Sequence, residues 1–371
     1  MMGIFRHAHW RSSSLERSPA LILAHGCFGD VHGKVAHGLV RGTDRFDIVA
    51  VIDPDCAGHD AGTLLDGRPR NIPVFASIEA ALARGRRRPA VAIVGMATHG
   101  GRFTETLRAA LLEAAAAGLS LVNGLHDLAG DDPEIAAETA RHGARILDLR
   151  RPKPVAELRF WTGQIHGVVA PRIAVLGTDC ALGKRTTARL LIQALNADGV
   201  RAEMIYTGQT GWMQGGRHGL ILDAIPNDFV SGELEHAILS CYREARPDLI
   251  LLEGQSALRN PSGPCGAELL LSGAAAGVIL QHAPGRRCYD GFEGPRFRIP
   301  PVEDEIRLIE HYGVPVLGVS LNGRDSSLEA LREAQRRLAR TLDIPVACPL
   351  EDGVTELLPP LRALLDRKEV A

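Results

Sequence analysis

The sequence of 371 residues carries 42 Lys and Arg against 44 Asp and Glu, a formal net charge of −2. This balance, with 4% aromatic residues, argues against a broad basic surface or an aromatic platform for nucleic acid. No apolar run reaches the roughly 20 residues of a membrane-spanning helix. The seven cysteines are scattered and include no CxxC pair, which favours a reducing compartment. We therefore expect a cytoplasmic protein that binds neither nucleic acid nor membranes.

The first part of the chain alternates short apolar runs with helix-length amphipathic segments, beginning at residue 19. Residues 1–18 are polar and are predicted to be a flexible extension. Predicted strands cover 20–24, 48–52, 90–94, 120–122 and 145–147, and predicted helices cover 33–42, 77–85, 103–117 and 132–142. Buried parallel strands that alternate with helices predict a doubly wound, Rossmann-like α/β domain over residues 19–150.

A proline-punctuated stretch, residues 151–171, interrupts this pattern and is predicted to join two domains. A second series then begins and predicts another doubly wound α/β domain, with a fold like that of P-loop NTPases, over residues 172–371. Its predicted strands cover 172–177, 201–206, 248–253, 277–281 and 314–320. Its predicted helices cover 184–197, 232–245, 303–312, 326–341 and 355–368.

The sharpest motif lies where the first strand of the second domain meets its helix. A loop between Gly177 and Gly183 leads directly into Lys184. Backbone N–H groups and a helix N-terminus attract phosphate, and a lysine there reaches the phosphate oxygens. The predicted phosphate-binding or cofactor-binding residues are Gly177, Thr178, Asp179, Cys180, Ala181, Leu182, Gly183, Lys184, Arg185, Thr186 and Thr187.

This loop departs from the common P-loop pattern in two ways. It holds five residues between its glycines instead of four, and Arg185 follows the lysine where Ser or Thr normally binds Mg²⁺. The spacing resembles that of dethiobiotin synthetase, whereas the Gly-Lys-Arg-Thr ending resembles that of adenylate kinases. We predict no metal site, although Thr186 and Glu253 would be the ligands if Mg-ATP were bound.

Other chemistry-bearing residues follow later strands. Glu253 ends a predicted strand, where a carboxylate holds a metal or acts as a base. His282, Arg286 and Arg287 follow another strand and suit a dicarboxylate or a ribose phosphate. The run Gly208, Gln209, Thr210 and Gly211 predicts a polar substrate pocket, near which Asp228 is either a functional acid or a helix cap.

The first domain lacks the G-x-G-x-x-G fingerprint of dinucleotide-binding folds. Asp53 closes its second strand as a ribose-binding acid would, but it follows Gly26 by 27 residues. We therefore expect the domain to keep the fold without the dinucleotide. His99 and His126, at later strand ends, are further candidate substrate contacts, although a lone histidine is more often structural.

The order of the motifs resembles one bacterial family over residues 19–365. The motifs begin at His25 (His-Gly-Cys-Phe-Gly), Val51 (Val-Ile-Asp-Pro), Gly124 (Gly-Leu-His), Gly177 (Gly-Thr-Asp-Cys-Ala-Leu-Gly-Lys-Arg-Thr-Thr), Thr207 (Thr-Gly-Gln-Thr-Gly-Trp), Asp223 (Asp-Ala-Ile-Pro-Asn-Asp-Phe) and Leu251 (Leu-Leu-Glu-Gly-Gln-Ser). In this order they resemble the DgcN-type family of D-glutamate N-acetyltransferases, which have a P-loop domain.

This resemblance implies an enzyme of D-amino-acid catabolism that transfers an acetyl group from acetyl-CoA, its co-substrate, to the amino group of D-glutamate. From the residues themselves, we expect the phosphate loop with Lys184 and Arg185 to hold the CoA phosphates without metal. Glu253 and Asp228 are then candidate bases, and His282 or the Gly208–Gly211 amides would stabilise the tetrahedral intermediate. Arg287 would hold a substrate carboxylate. We expect a small-molecule amino acid as the partner, and a homo-oligomer.

Two other functions fit the same residues. One is an enzyme of the dethiobiotin synthetase type, which activates a carboxylate or carbamate with ATP and Mg²⁺. In the dethiobiotin synthetase group an Asn at the position of Asn322 faces the adenine, so Asn322 is a candidate base contact. The other is a nucleotide-binding regulatory protein without small-molecule turnover.

Overall fold

The computed structural model describes residues 17–366, apart from the side chains of Val31 and His99. Most of the predicted N-terminal extension, residues 1–16, lies outside the described residues. The chain divides into two compact units between Arg151 and Pro152. The first unit also takes in Gln209–Gly215, a segment that we predicted within the second domain, and the second unit comprises the remainder.

The first unit is a parallel six-stranded sheet with helices on both faces. Its strands are β1 (Ser18–Leu23), β2 (Phe46–Ile52), β3 (Val74–Phe75), β4 (Val91–Val94), β5 (Ser120–Asn123) and β6 (Ile146–Asp148), in the order β3-β2-β1-β4-β5-β6. Its helices are α1 (Lys34–Arg41), α2 (Ala61–Asp66), α3 (Ile78–Arg84), α4 (Glu105–Ala116) and α5 (Pro133–Arg141). This strand order is that of a Rossmann fold.

Successive apolar side chains of β1 point to opposite faces of this sheet, so the strand contributes to a core on each face. Leu21 and Leu23 pack with residues of α4, such as Leu107, whereas Ala20 and Ile22 pack with Val35 and its neighbours in α1. Both sides of the strand are buried, which is why its sequence is a continuous apolar run. The predicted doubly wound fold is confirmed.

The second unit is a parallel seven-stranded sheet. Its strands are β7 (Arg172–Gly177), β8 (Ala202–Tyr206), β9 (His218–Gly219), β10 (Leu249–Glu253), β11 (Gly277–His282), β12 (Val316–Leu321) and β13 (Val346–Ala347), in the order β13-β12-β11-β7-β10-β8-β9. Its helices are α6 (Lys184–Ala197), α8 (Asn227–Ala245), α9 (Ala267–Leu270), α10 (Val302–His311), α11 (Leu328–Leu342) and α12 (Leu358–Asp366). The intervening short helix, α7 (Gln209–Met213), belongs to the first unit.

Because all strands of this sheet are parallel, the residues that follow β7, β10 and β11 meet at one edge. β7 lies between β11 and β10. The loop at Gly177 is therefore flanked by the strand ends that carry Glu253 and His282.

Helix α8 begins at Asn227, five residues before the predicted start. Gly232 lies inside the helix rather than at its boundary, because the carbonyl of Arg159 lies against it. A Cβ at residue 232 would come within 2.0 Å of that oxygen. The glycine permits a close approach instead of ending a helix.

Two general predictions from the composition also concern this fold. All seven cysteines are free thiols, as their scattered positions indicated. In the part of the chain from residue 17 to 366, no helix is both long enough and apolar enough to cross a membrane.

Candidate functional site: a phosphate loop with an arginine–glutamate pair

The phosphate loop leaves β7 at Gly177 and enters α6 at Lys184. Gly183 has φ +95° and Ala181 has φ +52°, so the backbone turns tightly through the left-handed region before the helix begins. The first turn of a helix leaves its N–H groups without intrahelical acceptors. Together with the partial positive charge of the helix N-terminus, these groups make a site for an anion.

Lys184 reaches back over this loop instead of pointing into solvent. Its Nζ donates to the carbonyl oxygens of Asp179 (2.7 Å) and Ser256 (2.9 Å), which leaves one of its three N–H groups for a ligand. The side chain passes over Gly177, where a Cβ would lie 3.0 Å from the lysine Cδ. Burial lowers the pKa of Lys184, and a bound phosphate would favour its charged form.

Arg185 and Glu253 form an ion pair beside the loop. The Arg185 Nε donates to Glu253 Oε1 over 2.8 Å, and the backbone N–H of Thr207 donates to Oε2 over 3.2 Å. Glu253 is 3% exposed. Both oxygens of this buried carboxylate are therefore already engaged, one of them by a cation.

This arrangement does not fit the Mg²⁺ site of P-loop enzymes. Such a site usually has a hydroxyl directly after the lysine, and it needs an acid free to face the metal. Here the guanidinium of Arg185 follows the lysine and pairs with Glu253. Thr186, the other predicted metal ligand, is half-buried. The residues from 17 to 366 include no cluster of three or more His, Cys, Asp or Glu that could hold a metal.

The side chain of Asp179 holds the phosphate loop in place through hydrogen bonds. Its buried carboxylate accepts from Asn260 Nδ2 (2.9 Å), Arg286 Nη1 (3.1 Å) and the N–H of Asp290 (2.8 Å). Arg286 also donates to the carbonyl of Cys180 over 2.8 Å. The Asp179 side chain thus positions the loop, and only its backbone is placed to contact a ligand.

Three other predicted residues, Thr178, His282 and Asn322, also support the loop through their side chains. Thr178 Oγ1 lies 3.0 Å from His282 Nδ1, and burial lowers the pKa of His282 to about 4, so the imidazole is neutral. Asn322 donates to the carbonyl of Leu182 over 2.7 Å, which braces the loop. Thr187 points into the core, where its hydroxyl donates to Gln281.

The predicted substrate pocket at residues 208–211 does not form within the second unit. Gly208 belongs to that unit, but Gln209, Thr210 and Gly211 lie in α7 and pack in the first unit. There Gln209 Oε1 accepts from Arg150 over 3.3 Å, and Thr210 is 3% exposed.

The remaining two predicted residues are exposed. Asp228 lies within the first turn of α8, and it does not cap a helix at Gly232. Arg287 follows β11 with its side chain in solvent. Neither side chain makes a hydrogen bond or ion pair with a residue that the structure describes, so both side chains are free to meet a ligand.

Sequence reasoning missed Asn260 and Ser256, which hold Asp179 and Lys184. Both lie in the stretch after β10, where glycine and proline indicate only a loop. Ser256 has φ +40°, a conformation that its residue type does not predict. The only available signal was their position after a strand next to the phosphate loop.

Family models match both parts of the chain. Residues 159–358 match a P-loop domain of unknown function, DUF1611_C, and residues 54–152 match a Rossmann-like domain of unknown function, DUF1611_N. The chain belongs to the DUF1611 family. A crystal structure of a DUF1611 protein from Anabaena variabilis has a TM-score of 0.85 at 30% identity, covering 94% of this chain and all of that one.

Two curated relatives of this DUF1611 protein carry the name D-glutamate N-acetyltransferase. The relative from Pseudoalteromonas is 29% identical over 273 residues, which cover 72% of this chain and 79% of the relative. The relative from Tritonibacter scottomollicae is 28% identical over 303 residues, which cover 78% of this chain and 85% of the relative. The resemblance inferred from the order of motifs is confirmed.

Proposed function

We propose that this protein transfers the acetyl group of acetyl-CoA to the amino group of D-glutamate. The observation that carries the proposal is similarity to two proteins named for this activity, over most of both chains. The phosphate loop supports it, because CoA contains a diphosphate that a nest of N–H groups and Lys184 would hold.

The Arg185–Glu253 pair supports a metal-free mode of binding. Arg185 puts a fixed positive charge at the head of α6, where a P-loop NTPase recruits Mg²⁺. A guanidinium binds phosphate oxygens directly and stays charged at all physiological pH values. Acetyl transfer cleaves no phosphate bond, so the phosphates need only be held in place.

The reaction itself occurs away from the phosphates. The arm from the diphosphate to the thioester sulfur has about as many bonds as four residues of backbone, so it spans about 15 Å when extended. If the loop holds the diphosphate, Glu253 and His282 act at the phosphate end of the ligand. Among the candidate bases, Asp228 then remains available for the amine.

The chemical step needs a neutral amine and a leaving thiolate. A base removes the proton of the D-glutamate ammonium group, and the nitrogen attacks the thioester carbonyl. The tetrahedral intermediate collapses with cleavage of the C–S bond. The nitrogen loses its second proton, the CoA thiolate leaves and takes up a proton, and N-acetyl-D-glutamate is released.

The test is CoA release from acetyl-CoA with D-glutamate, L-glutamate or no acceptor, with and without EDTA. Products should be separated by chromatography, because the seven free thiols of the protein would react with a thiol reagent. We expect release that depends on D-glutamate, forms its N-acetyl derivative and is undiminished by EDTA. Absence of release, with ADP formation from Mg-ATP upon addition of a carboxylate, would instead establish the ATP-dependent alternative.

A further inference from the structure

A second group of arginines lies next to the phosphate loop. Residues 287–299, here called the arginine hairpin, follow β11. Backbone hydrogen bonds join Tyr289 N to Phe297 O (3.0 Å) and Ile299 N to Arg287 O (2.9 Å). Tyr289 is 5% exposed and fixes the hairpin to the protein. The hairpin is therefore an ordered element and not a loose loop.

The phosphate loop and the arginine hairpin are fastened together directly. Asp179 of the loop accepts a hydrogen bond from the N–H of Asp290 in the hairpin. Arg286, immediately before the hairpin, donates to both Asp179 and the carbonyl of Cys180. Its side chain is only 9% exposed. A ligand that occupies the phosphate loop therefore has the hairpin beside it.

The hairpin presents more positive than negative charge. Arg287, Arg296 and Arg298 are all exposed, and none has an ion-pair partner among residues 17–366. The acids of the hairpin are Asp290 and the exposed Glu293. The charge of Arg286 is already balanced by Asp179, so the three exposed guanidinium groups are the ones available to an anion.

We propose that the arginine hairpin binds the 3′-phosphate of CoA, an inference that rests on the proposed function. The 3′-phosphate is attached to the ribose, only a few bonds from the diphosphate that the adjacent loop would hold. The carboxylates of the acceptor instead lie at the thioester end, about 15 Å away along the extended arm. Arginine is also the side chain best suited to a phosphate dianion. The hairpin thus selects CoA over nucleotides that lack this phosphate.

The test compares CoA with 3′-dephospho-CoA. We would measure both dissociation constants by calorimetry for the wild type, the double variant Arg287→Ala/Arg298→Ala and the control Arg340→Ala. The control removes an exposed arginine from the last turn of α11. The wild type is expected to bind CoA about 10- to 100-fold more tightly than 3′-dephospho-CoA, as for charge-assisted hydrogen bonds.

The double variant should lose this preference and bind both ligands as the wild type binds 3′-dephospho-CoA, whereas the control should keep it. The preference of the wild type should weaken as salt is raised, because the arginines are exposed. An Arg287→Lys/Arg298→Lys variant should retain part of the preference, since its charge is kept and its bidentate geometry is lost. Equal binding of the two ligands by the wild type, or an unchanged preference in the double variant, would overturn the proposal.

Turnover with acetyl-CoA and acetyl-3′-dephospho-CoA separates this proposal from the proposed function. Equal activity on both would reject the role of the hairpin and leave the acetyltransferase intact. Selective CoA binding without transfer to D-glutamate would support the hairpin and reject the proposed reaction. Failure to bind either ligand would reject both.

Discussion

The two members of the Arg185–Glu253 pair differ in their access to solvent. The side chain of Arg185 is 26% exposed, whereas that of Glu253 is 4% exposed. The carboxylate therefore depends on the guanidinium for its charge balance, while the guanidinium keeps a face open to a ligand. Burial of Glu253 therefore determines what the pair contributes to stability, and the exposed face of Arg185 determines what it contributes to ligand binding.

Replacing Arg185 with Ala should affect both roles. Loss of Arg185 leaves the buried carboxylate of Glu253 without a compensating charge, which should lower the free energy of unfolding by about 2 kcal/mol. The loss is smaller than for a fully buried ion pair because Arg185 is partly exposed. The dissociation constant for CoA should rise about 10- to 100-fold through the lost contact with phosphate. Urea unfolding and calorimetry measure the two effects.

The double variant Arg185→Ala/Glu253→Gln serves as the control for this prediction. It should recover much of the stability, because no buried charge remains, but none of the affinity. A double variant that binds CoA like the wild type would show that Arg185 does not contact the ligand.

At the scale of the element, helix α8 holds the connecting segment of the second unit. Glu235 accepts from Thr162 N (2.6 Å), Thr162 Oγ1 (2.9 Å) and Ile165 N (3.0 Å). Glu233 accepts from the N–H of Arg159 in the same segment. The glutamates thus satisfy backbone N–H groups of a stretch that has no sheet partner.

Replacing Glu235 with Gln should therefore loosen this segment. Burial alone would raise the pKa of Glu235, but the hydrogen bonds from Thr162 and Ile165 outweigh it, and the net pKa is lowered. Because the pKa of Glu235 is lower in the folded than in the unfolded protein, its ionised form stabilises the fold at pH values above the unfolded pKa of about 4.5. This stability is lost as the pH falls through the pKa of the folded state. We expect a loss of about 2 kcal/mol at neutral pH, which vanishes in acid.

Urea unfolding of Glu235→Gln at neutral and acidic pH tests this dependence. Glu310→Gln in α10 is the control, because Glu310 is exposed and forms no ion pair with a residue that the structure describes. A difference from the wild type that stays constant with pH would contradict the role of the Glu235 charge.

The same elements show which parts of the fold could be predicted. β7 and α6 were predicted to the residue, because an apolar run ends at a glycine and a Gly-Lys pair opens the helix. Helix α7 was missed because it has five residues, Gln209–Met213, including a glycine. Such a helix is too short to be stable alone and depends on tertiary contacts, which local sequence does not reveal.

The candidate site, like the fold, could be predicted only in part. The parallel order of the strands placed Glu253 and His282 at the edge that carries the phosphate loop. It did not predict that Glu253 pairs with Arg185, which is 68 residues away in sequence, nor that His282 pairs with Thr178. Side-chain pairing depends on rotamers and on which neighbours compete for each polar atom, and neither follows from strand order.

At the scale of the whole molecule, part of the core of the first unit comes from a segment that is distant in sequence. Met213 is fully buried among residues of β1, β4 and α1. Arg45 stacks over the ring of Trp212 at 4.0 Å and donates to its carbonyl over 2.7 Å. Gln214 donates to the carbonyl of Gly38 over 2.6 Å. The segment Gln209–Gly215 therefore stabilises the first unit although it lies in the second half of the sequence.

The variant Met213→Ala should destabilise the first unit by about 2–5 kcal/mol, as expected for a large buried side chain. Hydrogen exchange measured by mass spectrometry should accelerate in β1 and β4 and change less in β7. The matched control is Leu361→Ala, which removes a fully buried side chain of the second unit and should reverse this pattern. Faster exchange in β7 than in β1 for Met213→Ala would contradict the assignment of the segment.

Because the segment Gln209–Gly215 belongs to the first unit, it also limits how the two domains can be exchanged between related proteins. A gene cut between Arg151 and Pro152 separates the two units in sequence but leaves α7 with the wrong half. A chimera that takes its Rossmann-like domain from one relative and its P-loop domain from another would carry a mismatched helix in the core of the former. Exchange of the first domain between relatives therefore requires that seven-residue graft as well.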